Sequence, residues 1–307
     1  MTKPKTTSPR STLYPAAQRE AAAYVLDLPP DDDPLPAIRQ ARLEASREAL
    51  AQPREPVDYV IDVDADGVLC RLYKPAGATA AIVHLHGGGF VFHDIGVHDA
   101  AARRLANRSG MAVLSVDYRR PPEHRFPAAP DDASTAVGWL LRAAPSLGLT
   151  GPLFAHGDSA GGNLALVTAL RNPGTFAGVA LIYPFLDPTA AHASYGASDV
   201  AFDAAEAAWY WRQYAAGPDD LTNPDLAPLL SDKLGTLPPT LIVTSEHDPL
   251  RDEGEELALR LAEAGVSVVG TRYLGQLHGF WRHTDVFDAA EPLTRQVAGF
   301  FNQHAGR

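Results

Sequence analysis

The chain offers its nucleophile in Gly157-Asp158-Ser159-Ala160-Gly161, a serine set between glycines. The apolar run Leu153-Phe154-Ala155 comes before it, and Gly162-Asn163-Leu164-Ala165-Leu166 after it reads as helix. The serine therefore falls on a strand-to-helix turn, the setting of a nucleophile elbow. Such a turn admits only very small side chains beside the serine, and it holds the hydroxyl clear of the sheet near the dipole of the next helix. Attack on an ester carbonyl at neutral pH also needs a base, a group that orients the base, and donors for the developing oxyanion. Asp248, in Glu246-His247-Asp248-Pro249-Leu250, is the candidate acid, with Asp252 and Glu246 as neighbouring competitors. A carboxylate there could instead cap a helix beginning near Asp252. His278, in Leu277-His278-Gly279-Phe280, is the candidate base, chosen from 11 histidines by its order and its place after the last strand.

The donors come from His86-Gly87-Gly88-Gly89-Phe90, directly after a strand ending at Leu85. Three glycines let the backbone approach a substrate closely and turn its N–H groups toward it. Gly88 and Gly89 would supply two donors, and the N–H of Ala160 a third. A phosphate-binding loop is the rival reading. The run has neither a Gly-Lys-Ser/Thr ending nor a Gly-x-Gly-x-x-Gly opening, which argues against it. His84, His86, His93 and His98 invite a metal, but their spacing matches no zincin motif, and the expectation is that no metal or organic cofactor takes part.

These groups need strands to carry them. Strand-like runs fall at Ala81–Leu85, Ala112–Tyr118, Leu153–Ala155, Val179–Tyr183, Leu241–Thr244 and Val268–Tyr273, with helical segments between most of them. Val137, Leu140 and Leu141 mark one helix face after an Asp131-Asp132 start. Leu257, Leu261 and Ala264 mark another, which Gly265 would stop. This alternation predicts an α/β fold with a mostly parallel sheet covered by helices. Val57–Val63 and Val68–Lys74 alternate around Asp66-Gly67 and predict an antiparallel hairpin at one edge.

A polar tail of about a dozen residues opens the chain. Two helical patterns follow at Ala16–Leu26 and Ala37–Leu50, split by the breakers Pro29-Pro30-Asp31-Asp32-Asp33-Pro34. A long excursion between Pro184 and Thr240 holds a helix from about Asp203 to Tyr214, with Asp203 and Glu206 spaced as a capping box. Residues 1–52 and the insertion 185–239 are expected to form a cap over the carboxyl end of the sheet, with residues 53–307 as the catalytic unit. A surface insertion without a role at the site is the alternative for the excursion.

The bulk properties are those of an ordinary globular protein, with 46% hydrophobic and 21% charged residues. A formal net charge of −11 argues against nucleic acid or an anionic membrane as partner. Cys70 is the single cysteine, so there is neither an intrachain disulfide nor a cysteine zinc site. The N-terminus lacks the apolar core of a signal peptide, and no apolar run approaches the length of a membrane span, so the expected location is the cytoplasm.

Together these motifs resemble the hormone-sensitive-lipase-like esterases of the α/β-hydrolase fold, the bacterial family IV type. Besides the four segments quoted above, the resemblance rests on Pro249-Leu250-Arg251-Asp252-Glu253-Gly254, Asp117-Tyr118-Arg119, Pro122-Glu123-His124, Phe126-Pro127-Ala128-Ala129 and Tyr183-Pro184. It spans roughly residues 55 to 305. It implies a triad of Ser159, Asp248 and His278, an oxyanion hole of Gly88, Gly89 and Ala160, a helical cap, and supporting places for His86 and Glu123 near the site. The chain departs from the family at Arg120-Pro121, where relatives usually carry Leu-Ala, and this puts the packing beside the site in doubt. The resemblance further implies short- to medium-chain acyl esters as substrates and a homodimer formed through the sheet edge or nearby helices. Trp209 and Trp211, with Phe90, Phe92, Phe185 and Phe280, are candidates for lining the pocket, with the core as the competing place for most of them. An amidase or N-deacetylase acting on a small metabolite uses the same triad and stays open. A ligand receptor on a silent scaffold, as in the plant gibberellin receptors, would have lost the catalytic histidine, whereas His278 is present.

Overall fold

Short, continuously apolar runs separated by amphipathic helical segments bury themselves best as parallel strands with a helix layer on each face. A computed structural model, which describes residues 13–23, 28–30, 32–196 and 203–306, has that architecture. Its strands are β1 (Tyr59–Ala65), β2 (Val68–Lys74), β3 (Ala81–Leu85), β4 (Ala112–Val116), β5 (Leu153–Asp158), β6 (Phe176–Ile182), β7 (Thr240–His247) and β8 (Val268–Leu277). Its helices are α1 (Pro15–Ala23), α2 (Leu35–Ala51), α3 (Asp99–Ser109), α4 (Ala128–Ala143), α5 (Ala160–Arg171), α6 (Ala204–Tyr214), α7 (Arg251–Glu263) and α8 (Ala290–Ala305). The expected tail and the end of the first helical pattern, up to Leu26, lie outside the described residues.

The sheet order is β1-β2-β4-β3-β5-β6-β7-β8. β1 and β2 form the expected hairpin, turned by Asp66 and Gly67 at φ 56° and 92°, and β2 joins β4 antiparallel. Every later pairing is parallel. β5 therefore lies inside the sheet between β3 and β6, and the carboxyl ends of β3, β5, β6, β7 and β8 share one edge. Several strands run longer than their apolar patterns predict, β5 and β8 among them. β5 continues through His156, Gly157 and Asp158 because these pair with Ala180, Leu181 and Ile182 of β6. β8 continues to Leu277, which pairs with His247 past an irregularity in the ladder.

Alternation along each strand feeds two cores. Ala81, Val83 and Leu85 of β3 face the side covered by α4, α5 and α7, where Val137, Leu140, Leu164, Leu257 and Leu261 pack. Ile82 faces the side of α3 and α8 with Leu105, Leu293, Val297 and Phe301, and Ala17 of α1 reaches that core as well. Cys70 is buried in β2. Two face assignments need correction. Leu141 is 53% exposed while Leu140 is 1% exposed, because the helix turns about 100° per residue and only one of two successive leucines can face the sheet. Ala264 lies exposed just beyond the last turn of α7, where Gly265 at φ 81° ends the helix.

The segment between β6 and β7 is tied to the sheet through α5, where Asn163 Nδ2 donates to the carbonyls of Phe185 and Leu226, both at 2.9 Å. Within it, Asp203 accepts the Glu206 N–H at 2.9 Å and starts α6. Trp209 of α6 packs with Ile38 of α2 and with Val91 in a small separate cluster.

Leu140→Ala should cost about 2–5 kcal/mol of stability through the cavity it leaves. Leu141→Ala, at an exposed position, should stay within about 0.5 kcal/mol. Urea unfolding of the two variants measures both, and equal losses would contradict the assignment of α4's faces.

Candidate active site

The turn after β5 is forced by sterics. Ser159 stands at φ 56°, ψ −123°, a backbone region that L-residues avoid. Its N–H donates to the Ile182 carbonyl at 2.8 Å, and its own carbonyl accepts from Gly162 at 2.9 Å and Phe185 at 3.1 Å. A Cβ on Gly157 would sit 2.0 Å from the Gly161 carbonyl oxygen, and one on Gly161 would sit 2.0 Å from that of Leu85. Glycine is therefore the residue that lets helix α5 start directly against β3. The Ala160 N–H lies in the first turn of α5, whose N-cap position Ser159 occupies.

The acid and the base arrive from the neighbouring strand ends. The ladder between β7 and β8 closes with His247 beside Leu277, so Asp248 and His278 each follow one residue beyond a paired position. Asp248 is buried, its Oδ1 accepts the Leu250 N–H at 2.9 Å, and its Oδ2 lies 2.8 Å from His278 Nδ1. His278 Nε2 lies 2.9 Å from Ser159 Oγ. With Nδ1–H donating its hydrogen bond to the carboxylate, the lone pair of Nε2 is the one turned to accept the serine proton. Tyr183 flanks the imidazole, with ring centroids 4.6 Å apart. The two competing carboxylates are engaged elsewhere. Asp252 accepts the Ser194 N–H at 2.8 Å, and Glu246 accepts the Gly275 N–H at 2.8 Å.

The glycine loop follows β3, whose Leu85 pairs with Gly157 of β5, so it leaves the sheet next to the nucleophile. Asp158 Oδ1 accepts the Gly87 N–H at 3.1 Å and lies 3.3 Å from His98 Nε2. A Cβ on Gly89 would come 2.2 Å from the ring of Tyr210, so α6 packs directly on the loop. His86 does not face the cavity. Its ring stacks on Tyr118 at 4.2 Å, and the Tyr118 hydroxyl donates to the His86 carbonyl at 2.7 Å, so its support is mechanical. Glu123 is also set back. Both of its oxygens accept from Arg42 Nη1 at 3.1 Å, which places it against α2 and outside the cavity. The departure at Arg120-Pro121 has a local use, because Arg120 donates to the His93 carbonyl and the Pro121 carbonyl accepts Arg42 Nη2 at 2.6 Å.

Behind the loop, His84, His86 and His156 are fully buried. His84 and His156 share a hydrogen bond between Nδ1 atoms at 2.9 Å. Burial holds all three imidazoles neutral, pushing His84 down to about 4, His86 down to about 3, and His156 well below the usual histidine range. Among the described residues the group with metal-ligand geometry lies elsewhere, at Asp187, His192 and Glu253. There His192 Nε2 is 3.3 Å from Asp187 and Glu253 accepts the Leu186 N–H at 2.7 Å.

Ser159, His278, Gly88 and Gly89 open on a cavity of about 250 Å³. Of the six aromatic residues expected to line it, Phe185 does. The others lie outside its wall, four of them in the core and Phe92 half-buried beside Trp209. Phe90 stacks on Tyr214 at 3.9 Å and packs tilted against Trp211 at 5.2 Å, Phe92 stacks on Trp209 at 6.1 Å, and Phe280 packs against Tyr273 at 5.3 Å. Their large apolar area is worth more between α6, α2 and the sheet than beside a wet cavity. The walls come instead from Tyr183, Tyr210, Glu206 and Arg282, with Glu20 and Ala21 contributed by α1. Asp158 was readable in the elbow motif, whereas nothing in the pattern of α1 singled out Glu20.

Neutral buried imidazoles also set an acid limit. The unfolded chain takes up protons below about pH 6.5 while His84, His86 and His156 in the fold do not, so unfolding is favoured as pH falls. Their contribution is complete above about pH 6.5, and each loses at most about 1.4 kcal/mol per pH unit below it. For His84 the loss continues until its folded value of about 4 is reached. Urea midpoints should be level between about pH 7 and 8 and fall steeply by about pH 5.5. A level profile down to about pH 5 would contradict neutral burial.

A family model described as the alpha/beta hydrolase fold matches residues 82–282. A carboxylic ester hydrolase of Mycobacterium tuberculosis is 37% identical over 296 residues, covering 90% of this chain and 78% of its own. An ethyl acetate hydrolase of Pseudomonas putida is 33% identical over 282 residues, covering 86% of this chain and 88% of its own. Among solved structures, a hyperthermophilic esterase from the archaeon Pyrobaculum calidifontis aligns with a TM-score of 0.84 at 35% identity, over 95% of this chain and 99% of that one. With the sheet order and the elbow geometry beside these likenesses, the chain belongs to the α/β-hydrolase family, in its hormone-sensitive-lipase-like branch.

Proposed function

We propose that the protein is a serine carboxylesterase acting on short- to medium-chain acyl esters. The observation that carries this is the chain of contacts from Asp248 to His278 Nδ1 at 2.8 Å and from His278 Nε2 to Ser159 Oγ at 2.9 Å. Ser159 Oγ attacks the ester carbonyl carbon as His278 Nε2 takes its proton. The buried Asp248 carboxylate orients the ring and stabilises the imidazolium that forms. The tetrahedral oxyanion is received by the N–H groups of Gly88, Gly89 and Ala160, the last reinforced by the N-terminus of α5. As the C–O bond breaks, His278 returns the proton to the departing alkoxide and leaves an acyl-Ser159. Water then attacks the acyl carbon with His278 taking its proton, and collapse releases the acid and restores the serine. In this mechanism every group required comes from the chain, with no cofactor.

Size and kinship favour small substrates. The cavity of about 250 Å³ is smaller than most ligand pockets, and one relative is named for ethyl acetate hydrolysis. Residues 1–52 and 185–239 act as the cap, a role supported by Glu20 and Tyr210 in the cavity wall. No helix among the described residues is long and apolar enough to cross a membrane, and the proposed location is the cytoplasm. The proposed homodimer would use the outer edge of the sheet at β8, where Val269 and Leu274 are exposed.

Initial rates on p-nitrophenyl esters from acetate to palmitate test the proposal. Activity should peak at short or medium chains and vanish in Ser159→Ala. Asp248→Asn should lose about 10⁴-fold through the wrong imidazole tautomer. A maximum at palmitate would contradict the substrate class, and serine-independent turnover would contradict the mechanism. Serine-dependent cleavage confined to amides would turn the reading to an amidase.

A further inference from the structure

We propose that Arg42, on helix α2, strengthens the Gly89 oxyanion donor through two aligned peptide groups and so acts as a positioning residue for ester hydrolysis. The inference rests on the reading of Gly89 as an oxyanion donor. Its basis is a series of hydrogen bonds running from α2 into the glycine loop. Arg42 Nε donates to the Val91 carbonyl at 2.9 Å. That carbonyl shares its peptide with the Phe92 N–H, which donates to the Gly88 carbonyl at 2.8 Å. The Gly88 carbonyl in turn shares its peptide with the Gly89 N–H.

Because C=O and N–H point in opposite directions across a trans peptide, these groups line up head to tail. The order is guanidinium, Val91–Phe92 peptide, Gly88–Gly89 peptide, and then the cavity that Gly88 and Gly89 line. The Gly88 carbonyl also accepts the Val91 N–H at 3.1 Å, so two donors fix the plane of the peptide that presents Gly89. Each hydrogen bond in such a series polarises the next, and a charge at its head adds to the effect where the surroundings are poor in water. Arg42 meets that condition, with its side chain 16% exposed. Burial acts against its charge more strongly than any neighbour, and the Glu123 carboxylate offsets part of that.

The rest of the guanidinium acts as a fixture. Nη1 donates to Glu123 at 3.1 Å and Nη2 to the Pro121 carbonyl at 2.6 Å. Three acceptors around one planar fork hold Nε on the Val91 carbonyl, a geometry that an ammonium group cannot reproduce in full. A role limited to gluing α2 onto the loop would show in stability and in KM. A role in the relay shows in the step where negative charge appears on the substrate oxygen.

The test compares wild type with Arg42→Gln and Arg42→Lys, using p-nitrophenyl butyrate and an aryl trifluoromethyl ketone that adds to the serine and places an oxyanion among the donors. Arg47→Gln, at an exposed position of α2, is the control and should match wild type. Arg42→Gln should lose roughly tenfold in kcat, a part of the hundred- to thousandfold carried by a whole oxyanion donor. It should lose the same factor in ketone affinity, with KM within about twofold. Arg42→Lys, which keeps the charge, should fall between wild type and Arg42→Gln with the same split, and it carries the test alone if Arg42→Gln does not fold. Unchanged kcat and ketone affinity, or a loss confined to KM, would overturn the relay. A wild-type enzyme that cleaves the ester through Ser159 but binds the ketone no better than the matching methyl ketone would overturn the oxyanion reading itself, and the relay with it.

Discussion

The backbone of Ser159 is the constraint on which the rest of the site depends. A residue at φ 56°, ψ −123° costs on the order of 1–3 kcal/mol and persists only where its surroundings over-determine it. Here the Ser159 N–H is held by β6 and its carbonyl by the first turn of α5 and by Phe185. The turn also closes only if Gly161 can lie against the Leu85 carbonyl, which requires β3 beside β5 in the observed register. That same register brings the glycine loop out of the sheet next to the serine. One strained residue thus couples the nucleophile, the adjacent strand and the loop, so none can shift alone.

The base and its orienting carboxylate depend on a different feature, the late pairing of His247 with Leu277 beyond an irregular stretch of ladder. Had β8 ended where its apolar alternation weakens, His278 would have no fixed height relative to Asp248. Above the sheet, the two helical additions meet on the glycine loop itself. Tyr210 of α6 covers Gly89, and Arg42 of α2 holds the Val91 carbonyl. α6, which walls the cavity through Glu206 and Tyr210, therefore also bears on the glycine loop, and α2 reaches the same stretch of backbone from outside the cavity.

Much of this was legible in the residues. The strand–helix alternation, the hairpin at Asp66-Gly67 and the chain order of Ser159, Asp248 and His278 are local signals, and the structure brings those three side chains together at hydrogen-bond distance. The pocket aromatics were not legible. Phe90, Trp211 and Tyr214 form one buried cluster, and large rings suit a core and a pocket equally well until their neighbours are known. Glu123 follows the same logic, since its partner Arg42 lies 81 positions away in the sequence and no local pattern could pair them. Leu141 failed for a simpler reason, an adjacent pair of leucines of which only one could face inward.

Covalent labelling tests the central claim, an activated Ser159, most directly. The intact protein would be incubated with a fluorophosphonate at neutral pH and weighed by mass spectrometry, with the modified peptide sequenced. The account predicts one phosphonyl group per chain, located on Ser159, and labelling that slows by orders of magnitude when His278 is replaced by alanine. No adduct, an adduct on another residue, or labelling of Ser159 at an undiminished rate without His278 would contradict it.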